Sequence, residues 1–534
     1  MPQLNSSTPA ASTSSSRWSR PGFLLALFAA LLAFVVQSGE IGTADTMHRL
    51  QSTHAFWTSQ PPVFPNEYPE FGIHGRNGTL QSWYGIGQSL LMLPADLVGT
   101  GIAQLPLLRG YTDDPSIRNI VVSYSTSMLL AVLTALLCFR FLVQLRFSPR
   151  QAMLGTLALM LCTTHLHYTQ NLMENNYIFL LTLAGFSWQL AWVESGRSRD
   201  LLMGSAALGL NLLTRLTTGL DLLACGLFVL LLLAQHGVTR GFFSRLSAYL
   251  STAVPVYLFF GVLDRLYQFY RFGSFAGTYI GIVAREARQR DPGLPAAYPF
   301  EKPFHEGFFG PLFTPEKSIF LFDPLLILML VLVVFGWRRF DRTVRAYLVA
   351  GFALLLGYMC FYARYTVWSG DFAWGDRYVS TAVELASLLA VPLLLRYRAA
   401  FAGWIYRAGQ AIVGASFLVQ LVSLAFWLPL EIYQMETLGH PTFVIALRMK
   451  NIAAFALGKM QALGLNTPAM AEDPWDYVHI TTWNFLPFLL RRVGAAPHWV
   501  VDCAFVVWIA ALACLAIVLV RLLRFPALGH EKAS

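Results

Sequence analysis

Residues 365–380 read YTVWSGDFAWGDRYVS, setting Asp371, Asp376 and Arg377 among Tyr365, Trp368, Trp374 and Tyr378 between two long apolar runs. A guanidinium in such a place can hold a phosphate through charge-assisted hydrogen bonds. The flat rings beside it can stack on a sugar or anchor the segment in a membrane's aromatic belt. Two more cations stand at ends of apolar runs: Arg215 in LLTRLTTGLD and Lys317 in LFTPEKSIF. Alone, each reads as a side chain snorkelling to lipid head groups. Together, Arg215, Lys317 and Arg377 read as a site for an anionic head group.

Carboxylates supply the complementary chemistry. After the first apolar run comes SGEIGTADTMHRLQST, with Glu40 and Asp45 close to the run's end. A carboxylate at that boundary can serve as a general base when ionised, or as an acid when its pKa is raised. The segment equally suits a helix start, with Thr43 or Asp45 capping a helix near Thr46. Glu174, in HYTQNLMENNY, stands at the mouth of another apolar run with no cation close to it in sequence. A carboxylate there is costly, so it reads as functional, or as an N-terminal helix partner together with Asn175.

The elements that must position these groups are membrane spans. Apolar residues make up 56% of the chain and charged residues 13%, and long apolar runs recur, as membrane helices of roughly 20 residues require. The expected fold is an all-α integral membrane protein with about twelve transmembrane helices and long outer loops carrying interfacial helices. The spans fall near 22–37, 120–139, 151–167, 177–193, 201–216, 218–235, 247–267, 318–336, 345–363, 378–395, 408–428 and 499–520. Arginines gather in every second connection, including Arg140, Arg146 and Arg150, then Arg338, Arg339, Arg342 and Arg345. Those short connections and both termini are expected in the cytoplasm. This bias accounts for the formal net charge of +9 and argues against nucleic acid as a partner. Segment 84–106 is apolar but carries Pro94, Asp96 and several glycines. It is expected to lie at the interface or re-enter, because a crossing would invert every later loop.

The long connections, 38–119, 268–317, 364–377 and 429–498, then lie outside and hold most of the polar and aromatic residues. That asymmetry favours an enzyme of the outer face. A transporter or flippase would need polar groups at mid-depth, and the spans offer few beyond Arg215, Asp221 and Asp264. The chain divides into a disordered cytoplasmic tail (1–21), a transmembrane catalytic region (22–430), and an outer loop with a final helix (431–534). The six cysteines lack metal or redox spacing and read as small buried apolar residues. Nucleotide-binding and HExxH motifs are absent, and the inner loops are too short for a nucleotide-binding domain. A divalent metal is compatible with the sequence but not required by it. An outer-face transferase would therefore draw its donor from the membrane as a lipid phosphate.

The ordered set GEIGTAD, SWYGIGQSLLMLP, MENNY, LLTRLT, YRFGSFAGTYIG, GPLFTPEKSIFLFDPLL and WSGDFAWGDRY resembles the GT-C integral-membrane glycosyltransferases. Within them it is most similar to bacterial family-39-type proteins, relatives of polyprenyl-phosphate-mannose protein mannosyltransferases and lipid A aminoarabinose transferases. The resemblance covers about residues 20–400. It implies transfer of a sugar from a polyprenyl-phosphate carrier to a lipid, glycan or protein acceptor, on the outer face of a bacterial inner membrane. Ligation of a whole lipid-linked glycan is the alternative within the class. By the same resemblance Asp45 is the expected general base, Glu174 a second acid and Glu40 a lesser candidate. Lys317, Arg377 and Arg215 would meet the carrier phosphate, and Tyr84, Trp368, Trp374 and Tyr378 the substrate. Asp376 stands where the family commonly has proline, and Glu316 where it has glycine.

Overall fold

The computed structural model describes residues 16–64, 71–109, 111, 115–235, 237–371, 373–467, 481–494 and 496–525. Helices dominate it. Strand pairing among the described residues is one antiparallel ribbon, Ile73–His74 against Leu80–Gln81. The chain runs through α1 (Ser16–Val36), α2 (Ala44–Ala55), α3 (Gly87–Ala103) and α4 (Ile117–Gln144). Then come α5 (Pro149–Cys162), α6 (His165–Asn171), α7 (Glu174–Ser195), α8 (Ser198–Leu212), α9 (Gly219–Ala234) and α10 (Arg240–Phe272). Next are α11 (Tyr279–Arg290), α12 (Phe304–Phe313), α13 (Ile319–Phe322), α14 (Leu325–Gly336) and α15 (Arg342–Tyr362). The last are α16 (Ser380–Ser387), α17 (Ala390–Arg396), α18 (Gly403–Ser423), α19 (Pro429–Glu436), α20 (Val444–Ala456), α21 (Leu486–Val493) and α22 (His498–Leu523).

Seven of these are long and apolar enough to cross a membrane: α4, α7, α9 with its leading turn, α10, α15, α18 and α22. Backbone groups have no water to bond in hydrocarbon, so a helix that satisfies its own ladder is the available solution. The shorter helices α1, α5, α8, α14 and the α16–α17 pair pack beside them, at the other positions where spans were expected, in an all-α membrane fold.

Side-chain contacts sort the connections into two ends. At one end Arg146 pairs with Glu194 at 3.1 Å, and Arg396 pairs with Asp341 at 2.8 Å while covering the Phe147 ring. Arg245 donates to the Val193 carbonyl, and Arg339 to that of Ala400. The basic connections thus share one end. At the other, Gln170 donates to the carbonyls of Val36, Leu424 and Asn484, joining the ends of α1 and α18 to the start of α21. Helix α3 belongs to this second end. Its first residue, Gly87, donates to the Leu213 carbonyl at 2.8 Å, just past α8, and Gln88 donates to the Leu172 carbonyl before α7. Nine residues after Gly87, Asp96 pairs with Arg118 at the start of α4. A helix tied at its start and at its middle to the same end of the bundle stays at that end, as expected for segment 84–106.

Other boundaries differ from those read in sequence. The span expected over 151–167 breaks after Cys162, where Thr163 is extended, and the expected loop 167–177 is helical over 167–171 in α6 and over 174–177 in α7. The break has a cause. The Thr164 N–H donates to Asp323 Oδ1 at 2.7 Å, and its hydroxyl lies 3.1 Å from Asp323 Oδ2 and 3.0 Å from Glu384 Oε1. With His165, these make a polar group at most 2% exposed inside the bundle, which corrects the expectation that Arg215, Asp221 and Asp264 were nearly alone there. The partners lie 159 and 220 residues from Thr164, beyond any local pattern. Cys138, Cys162 and Cys225 are buried as expected, whereas Cys360, Cys503 and Cys514 are exposed, on helices whose outer faces suit lipid.

The two-ended arrangement is tested in a variant with all native cysteines replaced. Single cysteines at the exposed positions Gln60 and Pro295 should react with an impermeant thiol reagent on intact cells. Those at Ser148, Ser198 and Asp341 should react only after permeabilisation. Labelling of position 148 on intact cells would place the basic loops outside.

Candidate active site

The site starts at α2. Thr43 caps the helix, its hydroxyl accepting the Thr46 N–H at 3.2 Å, and Asp45 falls in the first turn. Arg49 lies four residues on, so both side chains share one face. The helix is held from below by Asp96. That buried carboxylate accepts the Trp57 indole N–H at 2.8 Å, lies 3.0 Å from His54 Nδ1 and pairs with Arg118. Gly42, at φ +81°, precedes the cap where a Cβ would collide with the Asn171 backbone. Glycine is therefore needed at that approach.

Two carboxylates and three guanidiniums interlock above α2. Arg377 Nη1 lies 2.5 Å from Asp45 Oδ2. Glu174, the first residue of α7, pairs with Arg49 at 2.7 Å and also with Arg215. Rings fill the spaces between them. The Arg49 guanidinium lies 4.0 Å from the Tyr84 ring centroid, and Arg215 and Arg377 lie 5.2 and 5.3 Å from that of Tyr378. Tyr378 stacks on Tyr362, with centroids 4.3 Å apart. All of these residues line one partly enclosed cavity, with Tyr279 and Tyr298 and with polar residues of α10. Three cations against two anions leave an excess positive charge, the condition for receiving an anion.

The local electrostatics follow from burial and pairing. Burial opposes ionisation of Asp45, but Arg377 and Arg49 outweigh it, so the carboxyl lies below its ordinary 3.8. Burial likewise opposes the charge on Arg377, and Asp45, Tyr378, Glu174 and Tyr84 together more than offset it, so the guanidinium holds its proton more firmly than usual. Burial, then the Asp45 charge, pushes Tyr84 well up, keeping it a neutral donor toward Asp45. His48, on the same helix, is pushed down to about 4 chiefly by burial and stays uncharged at neutral pH, stacked 3.4 Å from Phe71.

Six residues singled out from sequence therefore converge: Asp45, Tyr84, Glu174, Arg215, Arg377 and Tyr378. Four do not line the cavity. Glu40 is buried in the turn after α1, where its N–H donates to Ser38 Oγ. Lys317 lies behind the loop: its Nζ donates to the carbonyls of Asp371, Ala373 and Gly375 at 2.5, 2.8 and 3.2 Å. An ammonium has three protons, so this set occupies all of them, and Lys317 holds the loop instead of facing a ligand. Trp374 is fully buried, its ring 5.1 Å from Phe322 and 5.5 Å from His167 with Arg448 above it. Trp368 packs over Gly310, where a Cβ would meet its ring. The backbone explains the division. Gly370, Asp371 and Gly375 take φ of +74°, +53° and +71°, turning Trp374 into the protein and Arg377 into the cavity.

Residues not anticipated include Arg49, whose spacing from Asp45 was a readable signal, and Arg448, which was not. Arg448 is fully buried and bidentate to Glu431 at 2.7 and 2.5 Å, and it donates to the Ser423 carbonyl. Helices α19 and α20 thereby back Trp374 and the Arg377 loop. Among the described residues no group of three or more His, Cys, Asp or Glu side chains is placed to hold a metal ion.

Fold and site together define a multi-pass α-helical membrane protein with a charged cavity at the end of the bundle opposite its basic loops. No protein-family model matches the sequence, and no curated protein matches it. Among solved structures it is similar to the crystal structure of the apo oligosaccharyltransferase of Archaeoglobus fulgidus, with TM-score 0.46 and 11% identity. The alignment covers 77% of this chain and 57% of that one, so the chain spans little more than half that protein's length.

Replacing Lys317 separates holding from ligand contact. Lys317→Met should lower stability by about 3 kcal/mol or more, because three buried carbonyls lose charge-assisted partners, and thermal melting in detergent reads this directly. Unchanged melting would mean that the loop does not depend on the ammonium.

Proposed function

We propose that this protein is a glycosyltransferase that takes a sugar from a polyprenyl-phosphate carrier and passes it to a lipid, glycan or protein hydroxyl. The reaction would take place on the extracytoplasmic face of a bacterial inner membrane. One observation carries the reading: Asp45 and Arg377 are paired at 2.5 Å inside a cavity that four further arginines, Arg49, Arg215, Arg265 and Arg271, also line. A base and an anion-binding group thus stand side by side.

The chemistry follows from that pair. The acceptor oxygen bonds to the anomeric carbon as the bond from that carbon to the carrier phosphate breaks. Asp45 takes the hydroxyl proton, and the phosphate leaves with the electron pair of the broken bond. Phosphate is already a good leaving group, so the greater need is to make the hydroxyl nucleophilic, which a general base typically supplies at about 10²–10⁴ in rate. While paired to Arg377, Asp45 is a weak base. A phosphate that draws hydrogen bonds from Arg377 relieves that pairing and restores basicity as the donor arrives. Arg377 Nε has no partner among the described residues, so the guanidinium retains donating capacity. Glu174, held between Arg49 and Arg215, orients two cations and is the less suited of the two carboxylates to accept a proton.

The test uses the purified chain in nanodiscs with a prenyl-phosphate sugar. Arg377→Ala should weaken prenyl phosphate binding by about 1.5–3 kcal/mol, and Arg377→Lys should recover part of it. Asp45→Asn should cut kcat by about a hundredfold or more while leaving prenyl phosphate binding equal or tighter, since the carboxylate no longer competes for Arg377. Normal turnover in the Asn variant would remove Asp45 as the base. The pH profile carries the sign of the shift. In the free enzyme Asp45 is held below 3.8, so kcat/KM should lose activity only as pH falls below that value. In the donor complex Arg377 is shared, so the acid limb of kcat should lie at higher pH.

A further inference from the structure

The cavity has a second wall of different chemistry, contributed by α10. Most of this 33-residue helix is exposed along its sides, with Val262, Leu266 and Tyr270 between 47% and 72% exposed near its end. Its buried residues over that stretch are Asp264, Gln268 and Arg271, at 9%, 3% and 4% exposure. They follow one another at intervals of four and three, so they form a single face, and all three line the cavity. Polar side chains at the end of a membrane helix are expensive and are retained where they meet something polar.

The hydrogen bonds show which atoms remain to meet it. Arg271 donates from Nη1 to the carbonyls of Ser82 and Tyr84, and from Nη2 to Gln268 Oε1 at 3.2 Å. This sets the Gln268 amide with its oxygen toward the guanidinium, leaving its Nε2 group without a partner among the described residues. Asp264 uses Oδ2 for Arg265, and its other oxygen accepts no hydrogen bond from the described residues. A free amide donor and a free carboxylate acceptor, one helical turn apart, match the paired donor and acceptor character of neighbouring sugar hydroxyls. The rings of Tyr279 and Tyr298 line the same cavity and offer flat faces to a sugar ring. Asp264 is paired with Arg265, and Arg271 is engaged with the Ser82 and Tyr84 carbonyls and with Gln268, so this wall differs in preference from the arginine wall.

The geometry points to a subsite on α10 for a neutral hydroxylated sugar ring, read by Asp264 and Gln268 and held in register by Arg271. It rests on the glycosyltransferase reading in that the ring is either the one being transferred or the acceptor's. Arg271 also couples the two walls: it fixes the Tyr84 carbonyl, and the Tyr84 side chain helps to hold the Asp45 carboxyl low.

The probes are farnesyl phosphate, farnesyl phosphate carrying one mannose or one arabinose, and the methyl glycosides of those sugars. Binding is measured on the full chain in nanodiscs. Asp264→Ala removes the acceptor. Gln268→Glu removes the donor while keeping a partner for Arg271, and carries the test if the alanine variant melts early. Both should bind sugar-free farnesyl phosphate like the wild type and lose about five- to tenfold on sugar-bearing ligands. Loss on the farnesyl phosphosugars assigns the subsite to the donor ring, and loss on the methyl glycosides alone assigns it to the acceptor. Unchanged affinity for every sugar-bearing ligand overturns the inference. So does a wild type that gains nothing from the sugar and binds no methyl glycoside. If the wild type does not bind farnesyl phosphate at all, the carrier reading falls, and the glycosides still decide the subsite.

Discussion

Buried charge is the constraint around which the cavity end of this bundle is organised. Asp45, Glu174, Arg49, Arg215 and Arg377 all sit largely out of water, where an isolated ion costs several kcal/mol even after relaxation. Each is tolerable only because its partners are already in place. The five groups come from the first two turns of α2, the start of α7, the α8–α9 connection and the loop before α16. Holding them within bonding distance therefore fixes the relative positions of four separate parts of the chain. Removing one partner leaves the other charge buried and alone, so the network is cooperative and is also where the molecule is most easily damaged.

Much of the remaining structure at that end supports the cluster. Asp96 ties α2 and α3 to the head of α4 through Trp57, His54 and Arg118. Lys317 gathers three carbonyls of the Arg377 loop, and Arg448 with Glu431 backs Trp374 on its inner side. Asn175, beside Glu174, donates to the Arg377 carbonyl at 2.7 Å and joins α7 to the same loop. Such second partners hold a reactive side chain to one rotamer, and catalysis by positioned groups depends on that restriction. Several residues that look chemical in sequence are of this supporting kind. Trp374 and Lys317 sit within ten residues or less of other aromatic and charged groups in YTVWSGDFAWGDRY and LFTPEKSIF, yet their side chains face the protein.

Local pattern was enough for the frame of the molecule. Long apolar runs must be helices in lipid, and arginines repeated in alternate short connections mark one end, because both effects act on contiguous residues. Asp45 and Arg377 were visible for the same reason: charge beside an apolar run is conspicuous. Segment 84–106 was legible through its proline and aspartate, and Asp96 proved to be what ties it down. The pairings were not legible. Arg377 and Asp45 lie 332 residues apart, Thr164 and Glu384 220, and Lys317 reaches carbonyls 54 to 58 residues on. Which side of a loop faces the cavity depends on three positive-φ residues acting together, so Trp374 and Arg377, three positions apart, take opposite fates. Composition and periodicity decided that this is a membrane-spanning helical protein with conspicuous charge beside its apolar runs. Only the folded chain decided which charges neutralise one another, because energies between groups far apart in sequence exist only once the helices have brought them together.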